Sequence, residues 1–226
     1  MKILIIDTET TGLNPDRNHL LEIAAILWSV KHRCILMQVS TLIGYEQIIE
    51  NPAEPINGIS SQSLELTFNY KDGLKIIAKM SLFAAYICSH NAQFDRSFCR
   101  GIEELELPMN NWIDTQDLVY PKSQYIASTS LNNLAIAHRI PIVDAHRALN
   151  DCQVLVNLLA LIPDLEIQLS KAARPKVLVK SLEEKPGTLS KKHGFRWNSI
   201  IPFAWAKYMP EEDISLLPFK AIRVRS

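Results

Sequence analysis

Ile3-Leu4-Ile5-Ile6-Asp7-Thr8-Glu9 opens the chain with four consecutive apolar residues, then two carboxylates separated by one threonine. A short apolar, β-branched-rich run of this kind reads as a strand covered on both faces. The run predicts a strand over residues 3–6 that reaches an edge of the sheet at Asp7. Side chains alternate along a strand, so Asp7 and Glu9 point to the same side. Two carboxylates this close repel, and the pKa of one rises unless a cation neutralises them. The pair therefore suits a hard metal with oxygen ligands, although Asp-x-Glu alone also fits a solvated turn.

Outward from that run, residues 20–30 (LLEIAAILWSV) and 34–43 are two further strand candidates. The short polar turn Lys31-His32-Arg33 joins them, which predicts an antiparallel meander. Residues 51–58, with Pro52 and Pro55, read as a loop. Residues 60–80 read as helical with an interruption near Lys71-Asp72-Gly73. A buried strand is expected over 84–89, and Phe94, Phe98, Ile102 and Leu105 fall on one face of a helix. A fifth strand over 111–115 and helices over 130–138 and 148–162 follow. Strands first, then strands alternating with helices, predict an α/β layer architecture around a mixed sheet.

Three more polar residues stand at informative places in this scheme. Asp95 falls in the first turn of the helix that follows the 84–89 strand. Asp151 lies beside the apolar stripe of Ala148, Cys152 and Leu155 on the last long helix, so it faces inward or sits at the rim. An unpaired buried carboxylate is costly there. His146 precedes it by five residues, at or just before the helix start. Singly, each fits a structural role; in order along one chain, Asp-x-Glu, Asn-x-x-Phe-Asp and His-x-x-x-x-Asp form a set.

That set resembles the DEDDh family of 3′-to-5′ exonucleases, which includes the epsilon subunit of bacterial DNA polymerase III, exonuclease X and ribonuclease T. The matching stretches are DTETTGL from Asp7, EIAAI from Glu22, HNAQFD from His90, SLNNLA from Ser130 and HRALNDC from His146. The resemblance covers residues 1 to about 163. It implies an RNase H-like mixed five-stranded sheet flanked by helices, with Asp7, Glu9, Asp95 and Asp151 holding two divalent cations, Mg²⁺ or Mn²⁺. It also implies that His146 is the general base, a task its ordinary pKa near neutrality suits. Thr10, Thr11, Gly12 and Leu13 then form the wall for the terminal nucleotide, with Gly12 allowing close backbone approach and Leu13 wedging against a base. Asn91 either orients the backbone near Asp95 or caps the helix, and Phe94 belongs to the core rather than to a stacking platform.

The family resemblance leaves the substrate open between 3′ ends of DNA and of RNA, because discrimination rests on contacts to the 2′ position. The motifs favour DNA, in proofreading or repair, with RNA or short oligonucleotides as the alternative. An accessory nucleic-acid-binding module without chemistry is the contrasting class.

Composition frames these readings. The 226 residues are 47% hydrophobic and carry 24 cationic and 24 anionic side chains, which excludes a disordered or fibrous chain. The longest apolar stretch is seven residues, 82–88, far short of the roughly 20 that span a bilayer. With only four apolar residues after Lys2 there is no secretory leader pattern, so the expected location is cytoplasmic and no membrane partner is expected. The four cysteines form no Cys-x-x-Cys pair, which argues against zinc.

The charge is unevenly placed. Residues 1–165 hold 12 Lys and Arg against 18 Asp and Glu, and residues 166–226 hold 12 against 6. Pro163 and the run 170–175 suggest a boundary, giving an exonuclease domain over 1–165 and a small basic, aromatic-rich module over 166–226. Lys191, Lys192, Arg196 and Lys207 interleave with Phe195, Trp197, Trp205 and Tyr208, so the module either grips single strands by charge and stacking or packs its aromatics into a small core. A replication or repair protein is the other candidate partner. Residues 214–219 (ISLLPF) vaguely resemble a sliding-clamp docking peptide, but Ile214 stands where Gln is expected, and an apolar strand is the simpler reading.

Overall fold

A computed structural model of the chain describes residues 1–65, 69–183 and 189–224. It divides into two compact units, Met1–Ala173 and Arg174–Ser226.

The first unit is built on a five-stranded mixed sheet in the order β3-β2-β1-β4-β5. Strands β1 (Lys2–Thr10), β2 (Leu20–Ser29) and β3 (Cys34–Leu42) form the expected antiparallel meander. β4 (Tyr86–Ser89) pairs parallel with β1, and β5 (Trp112–Asp114) parallel with β4. One face of the sheet (Ile3, Ile5, Ala24, Ile26, Trp28) packs under α6 (Ala148–Ala160) and α7 (Leu165–Ala172). The other (Leu4, Ile6, Ile23, Ala25, Leu27) packs under α3 (Tyr70–Ser81) and α4 (Ala92–Cys99). Both faces are dry, which is why β1 and β2 are runs of apolar residues rather than alternating strands. Each fully buried Ile or Leu there contributes roughly 1.5–3 kcal/mol of transfer free energy. Arg33, in the β2–β3 turn, donates to the carbonyls of Leu159 (3.0 Å) and Ile162 (2.9 Å), so the sheet supplies partners for the C-terminal end of α6. This is the RNase H-like arrangement expected from the motifs.

Several elements depart from the sequence expectations. β1 does not stop at Ile6 but carries Asp7 and Glu9 within it, and its register slips between Glu9 and Thr10. Pairing with β2 continues past the first carboxylate because the backbone ladder is indifferent to side-chain charge. Within the expected 51–58 loop, Glu54–Asn57 forms a single helical turn, α1, and α2 (Ser61–Glu65) follows. The helix α3 runs straight through Gly73, where an added Cβ would meet the Thr41 side chain at 3.0 Å; the glycine permits close packing on β3 and breaks nothing. α4 ends at Cys99, ahead of Gly101 in the left-handed region, so Ile102 and Leu105 reach the core from a turn instead of a helix face. α5 (Leu131–Ala137) matches its expected span to within a residue at each end. α7 was not anticipated; Leu165 and Leu169 bury against the sheet, and the first unit runs eight residues beyond the expected limit at residue 165.

The second unit contains a four-stranded antiparallel sheet in the order β7-β8-β6-β9. Its elements are β6 (Lys176–Ser181), a short α8 (Leu189–Lys192), β7 (Arg196–Trp197), β8 (Trp205–Pro210) and β9 (Ala221–Arg223). Val179, Phe195 and Met209 form its core, with Trp205 and Phe219 packed against them. Residues 214–219 are not a strand: Glu211–Leu216 is a 3-10 helix between Pro210 and Pro218, and prolines cannot donate to a sheet ladder. Among the described residues, no single helix is long and apolar enough to cross a membrane.

Candidate active site

The second half of β1 brings Asp7 and Glu9 to one side of the strand, two residues apart, as the pleat requires. Parallel pairing sets β4 beside β1, and the chain turns from β4 through His90 and Asn91 directly into α4, placing Asp95 in its first turn. Asp95 is 2% exposed, and the Thr8 hydroxyl donates to its Oδ1 at 2.8 Å. On the opposite face of the sheet, the first turn of α6 supplies Asp151, which is 7% exposed.

These carboxylates act on one another. Burial, then the charges of Asp95, Asp151, Glu9 and Glu22, push Asp7 well above the ordinary carboxylate range. Burial, Asp151, Glu22 and Asp95 raise Glu9 to about 8, with Arg147 opposing them. Asp95 is raised by burial to about 7 despite its hydrogen bond from Thr8. Burial also raises Asp151, partly offset by the His146 backbone N–H, which donates to its Oδ2 at 3.0 Å. Four mutually repelling carboxyls supply only oxygen ligands and cannot all ionise near neutral pH without cations. That is the donor set a hard divalent cation fits.

His146 is exposed and lies just before α6, with φ at 65°. Its ring joins Glu9 and Asp151 so that one ligand-capable atom from each lies within 4.8 Å of the others. A histidine in the left-handed region needs support from its surroundings. Part of it comes from a pair that sequence reasoning did not single out as functional. The next residue, Arg147, donates from Nε to Glu22 Oε2 at 3.0 Å and from a terminal nitrogen to Oε1 at 3.2 Å. Glu22 is 3% exposed and also accepts from the Ala148 N–H and the Ser40 hydroxyl. The signal was present in the sequence: Glu22 is the one charged residue inside the apolar run 20–30.

The remaining candidates divide by what their side chains do. The Thr10 hydroxyl donates to the Gly12 carbonyl at 2.6 Å, and the Thr11 hydroxyl accepts the His19 N–H at 2.9 Å, so both are engaged within the turn. At Gly12 a Cβ would collide with the Asn18 side chain at 2.8 Å. Leu13 is 85% exposed, a large apolar side chain held out from the turn. Asn91 occupies the N-cap position of α4 with φ at 76° and makes no side-chain capping bond; instead the Asp114 carboxylate accepts its backbone N–H at 3.0 Å. Phe94 packs against the core, as expected. His90 donates from Nε2 to the Thr129 carbonyl at 2.7 Å and thereby ties the 115–129 segment to the end of β4.

A family profile described as an exonuclease matches residues 4–159 of this chain. The chain belongs to the DEDD-type 3′-to-5′ exonuclease family. The epsilon subunit of DNA polymerase III from Treponema pallidum (strain Nichols) is 32% identical over 165 residues, covering 67% of this chain and 72% of that protein. Ribonuclease T from Yersinia pseudotuberculosis serotype O:1b is 29% identical over 167 residues, covering 66% and 78%. Among solved structures, exonuclease I from E. coli in complex with a dT13 oligonucleotide superposes with a TM-score of 0.58 at 16% identity. That likeness covers 84% of this chain and half of the other, and it shows the fold. A second profile, a domain of unknown function, matches residues 183–224. The exonuclease match accordingly falls in the first unit and the uncharacterised one in the second.

Proposed function

We propose that this protein hydrolyses single-stranded DNA from its 3′ end, releasing nucleoside 5′-monophosphates, in proofreading or repair. The observation that carries this reading is the convergence of Asp7, Glu9, Asp95 and Asp151 at the end of β1, all four raised in pKa by burial and two of them, Asp7 and Glu9, also by the charge of the others. Two divalent cations held by these four residues, Mg²⁺ or Mn²⁺, would supply positive charge to the attacking and leaving oxygens of an in-line phosphoryl displacement.

The chain's own residues do the rest. His146 accepts a proton from the attacking water as its oxygen bonds to phosphorus. The bond from phosphorus to the 3′ oxygen of the penultimate nucleotide breaks, and that oxygen takes a proton from solvent. Leu13 wedges against the terminal base, while the Thr10–Gly12 hydrogen bond and the Asn91 backbone fix the walls on either side. Glu22 and Arg147 are positioning residues that hold the backbone carrying His146. The exposed Cys34 thiol and the buried Cys88, Cys99 and Cys152 thiols, all unpaired, support a reducing compartment such as the cytoplasm.

Similarity to ribonuclease T supports a second reading, in which the 3′ end belongs to RNA. A time course on matched 3′- and 5′-labelled single-stranded DNA and RNA, with Mg²⁺, Mn²⁺ or EDTA, separates the two. The expected result is a shortening ladder from the 5′ label, immediate mononucleotide release from the 3′ label, loss of both in EDTA, and faster DNA turnover. RNA turning over faster would move the assignment to the second reading, and cleavage that persists in EDTA would overturn the metal site.

A further inference from the structure

Lys122, Gln124 and Tyr125 from the segment after β5, with Ala137, His138 and Arg139 from the C-terminal end of α5, line a cavity of about 400 Å³ in the first unit. That volume falls within the roughly 300–1,000 Å³ of small-molecule sites. Lys122, Gln124 and Arg139 are exposed, and so is the Tyr125 ring, at 61%. The seven residues of α5 separate the cavity from the Thr129 carbonyl that His90 holds at the end of β4. At 1.5 Å per residue this is about 10 Å, and none of the lining residues belongs to the carboxylate cluster.

The cations at this cavity are not needed to finish the helix. The last four carbonyls of an α-helix have no partner within it, and in α5 each is taken by another group. The His138 N–H donates to the Leu134 carbonyl at 3.1 Å, the Ile140 N–H to Ala135 at 2.9 Å and the Arg139 N–H to Ile136 at 3.0 Å. The Ser123 hydroxyl donates to the Ala137 carbonyl at 2.9 Å. The bonds from Arg139 and Ile140 form a common helix-ending motif whose left-handed position ordinarily holds glycine. Here it holds Arg139, with φ at 58°. A side chain in that conformation is strained, and strain of this kind gathers at functional sites. His138 adds a second mismatch: its Nε2 atom is buried without a hydrogen-bond partner among the described residues, a costly state for a polar atom.

We propose that this cavity is a second nucleotide subsite, with a phosphate held by Lys122 and Arg139, a base stacked on Tyr125, and His138 Nε2 given the polar partner it lacks. Two positive side chains beside an exposed aromatic ring match the charge and the planar ring of one nucleotide. An acidic peptide would engage the cations but leave the Tyr125 ring without a planar partner. The nucleotide can come from the substrate strand or from a released mononucleotide. The strand is the source assigned, because once its 3′ end lies among the carboxylates, binding at the cavity becomes intramolecular. The proposal deepens the exonuclease reading and rests on it for the identity of that strand.

The test uses the full chain in EDTA, so that binding is read without cleavage, with a fluorescein-labelled oligo-dT of about 20 nucleotides in anisotropy titrations at several salt concentrations. Arg139→Gly places the ordinary residue at the left-handed position, so it is expected to raise the melting temperature while weakening oligonucleotide binding. Lys122→Gln with Arg139→Gly is expected to reduce the magnitude of the salt slope by about 0.7, one phosphate contact. Tyr125→Ala is expected to weaken binding about tenfold, as for one base stack, whereas Tyr125→Phe keeps the affinity. In Mg²⁺, kcat/KM for the long strand relative to that for a dinucleotide, whose two residues both flank the scissile bond, should fall by a similar factor in Tyr125→Ala. Equilibrium dialysis with labelled thymidine monophosphate separates the two sources. Mononucleotide binding that Tyr125→Ala abolishes, with oligonucleotide affinity and length dependence unchanged, would overturn the assignment to the strand. Unchanged affinity and salt slope in every variant, a lowered melting temperature in Arg139→Gly, or displacement of the oligonucleotide by poly-glutamate more readily than by unlabelled oligo-dT would overturn the subsite. These binding losses in a protein that cleaves no oligonucleotide would leave the subsite standing and sink the exonuclease reading instead.

Discussion

In the first unit, Asp7, Glu9, Asp95 and Asp151 crowd together at the expense of their own ionisation. In the second, Glu211, Glu212 and Asp213 are also consecutive and close, yet each has an arginine partner and lies in a wet 3-10 helix. Two acidic clusters of similar size therefore differ in whether the protein itself cancels their charge. Where it does, the cluster is held by ordinary surface ion pairing. Where it does not, the fold carries an electrostatic cost that only a ligand relieves, and such sites are where chemistry is found.

The sharpest way to break that comparison is to remove one charge from each cluster. Asp7→Asn is expected to lower exonuclease activity by orders of magnitude while raising the melting temperature of the metal-free protein, because it deletes one of four repelling groups. His146→Ala should cost about 10²–10⁴-fold in kcat, the usual range for a general base, with little change in melting temperature since the ring is exposed. If Asp7→Asn lowered the metal-free melting temperature, the carboxylate would be stabilising the fold and the cluster would not be strained.

The same strain has a pH signature. Glu9 and Asp95 have folded-state pKa values of about 8 and about 7, above their ordinary values of 4.5 and 3.8. Groups raised in this way favour the folded state fully below the ordinary pKa, and that contribution is lost as pH rises through the folded value. Thermal melts in EDTA should therefore show stability falling between about pH 4 and pH 8, and Mg²⁺ should restore it most at the alkaline end. Cation binding should also release protons, visible as a buffer-dependent heat in calorimetry. A metal-free stability that rises across that window would contradict the assignment.

A smaller effect is expected at the Glu22–Arg147 pair, where the protein cancels a buried charge internally. Arg147→Met strands Glu22 in the core; breaking a buried pair costs about 3–5 kcal/mol, and the 41% exposure of the Arg147 side chain reduces this to about 2 kcal/mol. Double replacement, Glu22→Met with Arg147→Met, should recover most of that stability. If the pair positions His146, activity should stay low in the double variant even though stability returns, with the loss in kcat rather than KM. Recovery of both would make the pair structural only.

Much of this was legible in the residues. The period-two placement of Asp7 and Glu9, the Asp95 position after β4 and the Asp151 stripe on α6 follow from local patterns, and the mixed character of the sheet follows from strands first and then strands alternating with helices, whereas its order does not. What escaped the sequence is set by tertiary context. The apolar-run rule ended β1 at Ile6, whereas backbone pairing with β2 carries it to Thr10. Gly73 reads as a breaker until Thr41 is seen pressing on it. The Glu22–Arg147 contact joins residues 125 positions apart, which no local window contains. Which aromatics of the second unit build its core is likewise set by tertiary context: Phe195 and Trp205 pack inward, while Tyr208 is exposed.

The smallest expected effect sharpens the comparison from the other side. Arg174 donates to both Glu212 and Asp213 and is the main cation of the cancelled cluster. Arg174→Ala leaves those two carboxylates without it, but Glu212 is exposed and Asp213 is only half-buried, so screening and solvation replace most of what the guanidinium gives. Melting temperature and trinucleotide cleavage should both stay within error of wild type at physiological salt, with a slight destabilisation appearing only at low ionic strength. A large loss would mean that the second acidic cluster is as strained as the first, and that internal pairing rather than solvent was holding it. The contrast between a cluster that needs a ligand and one that does not would then rest on Arg174 alone.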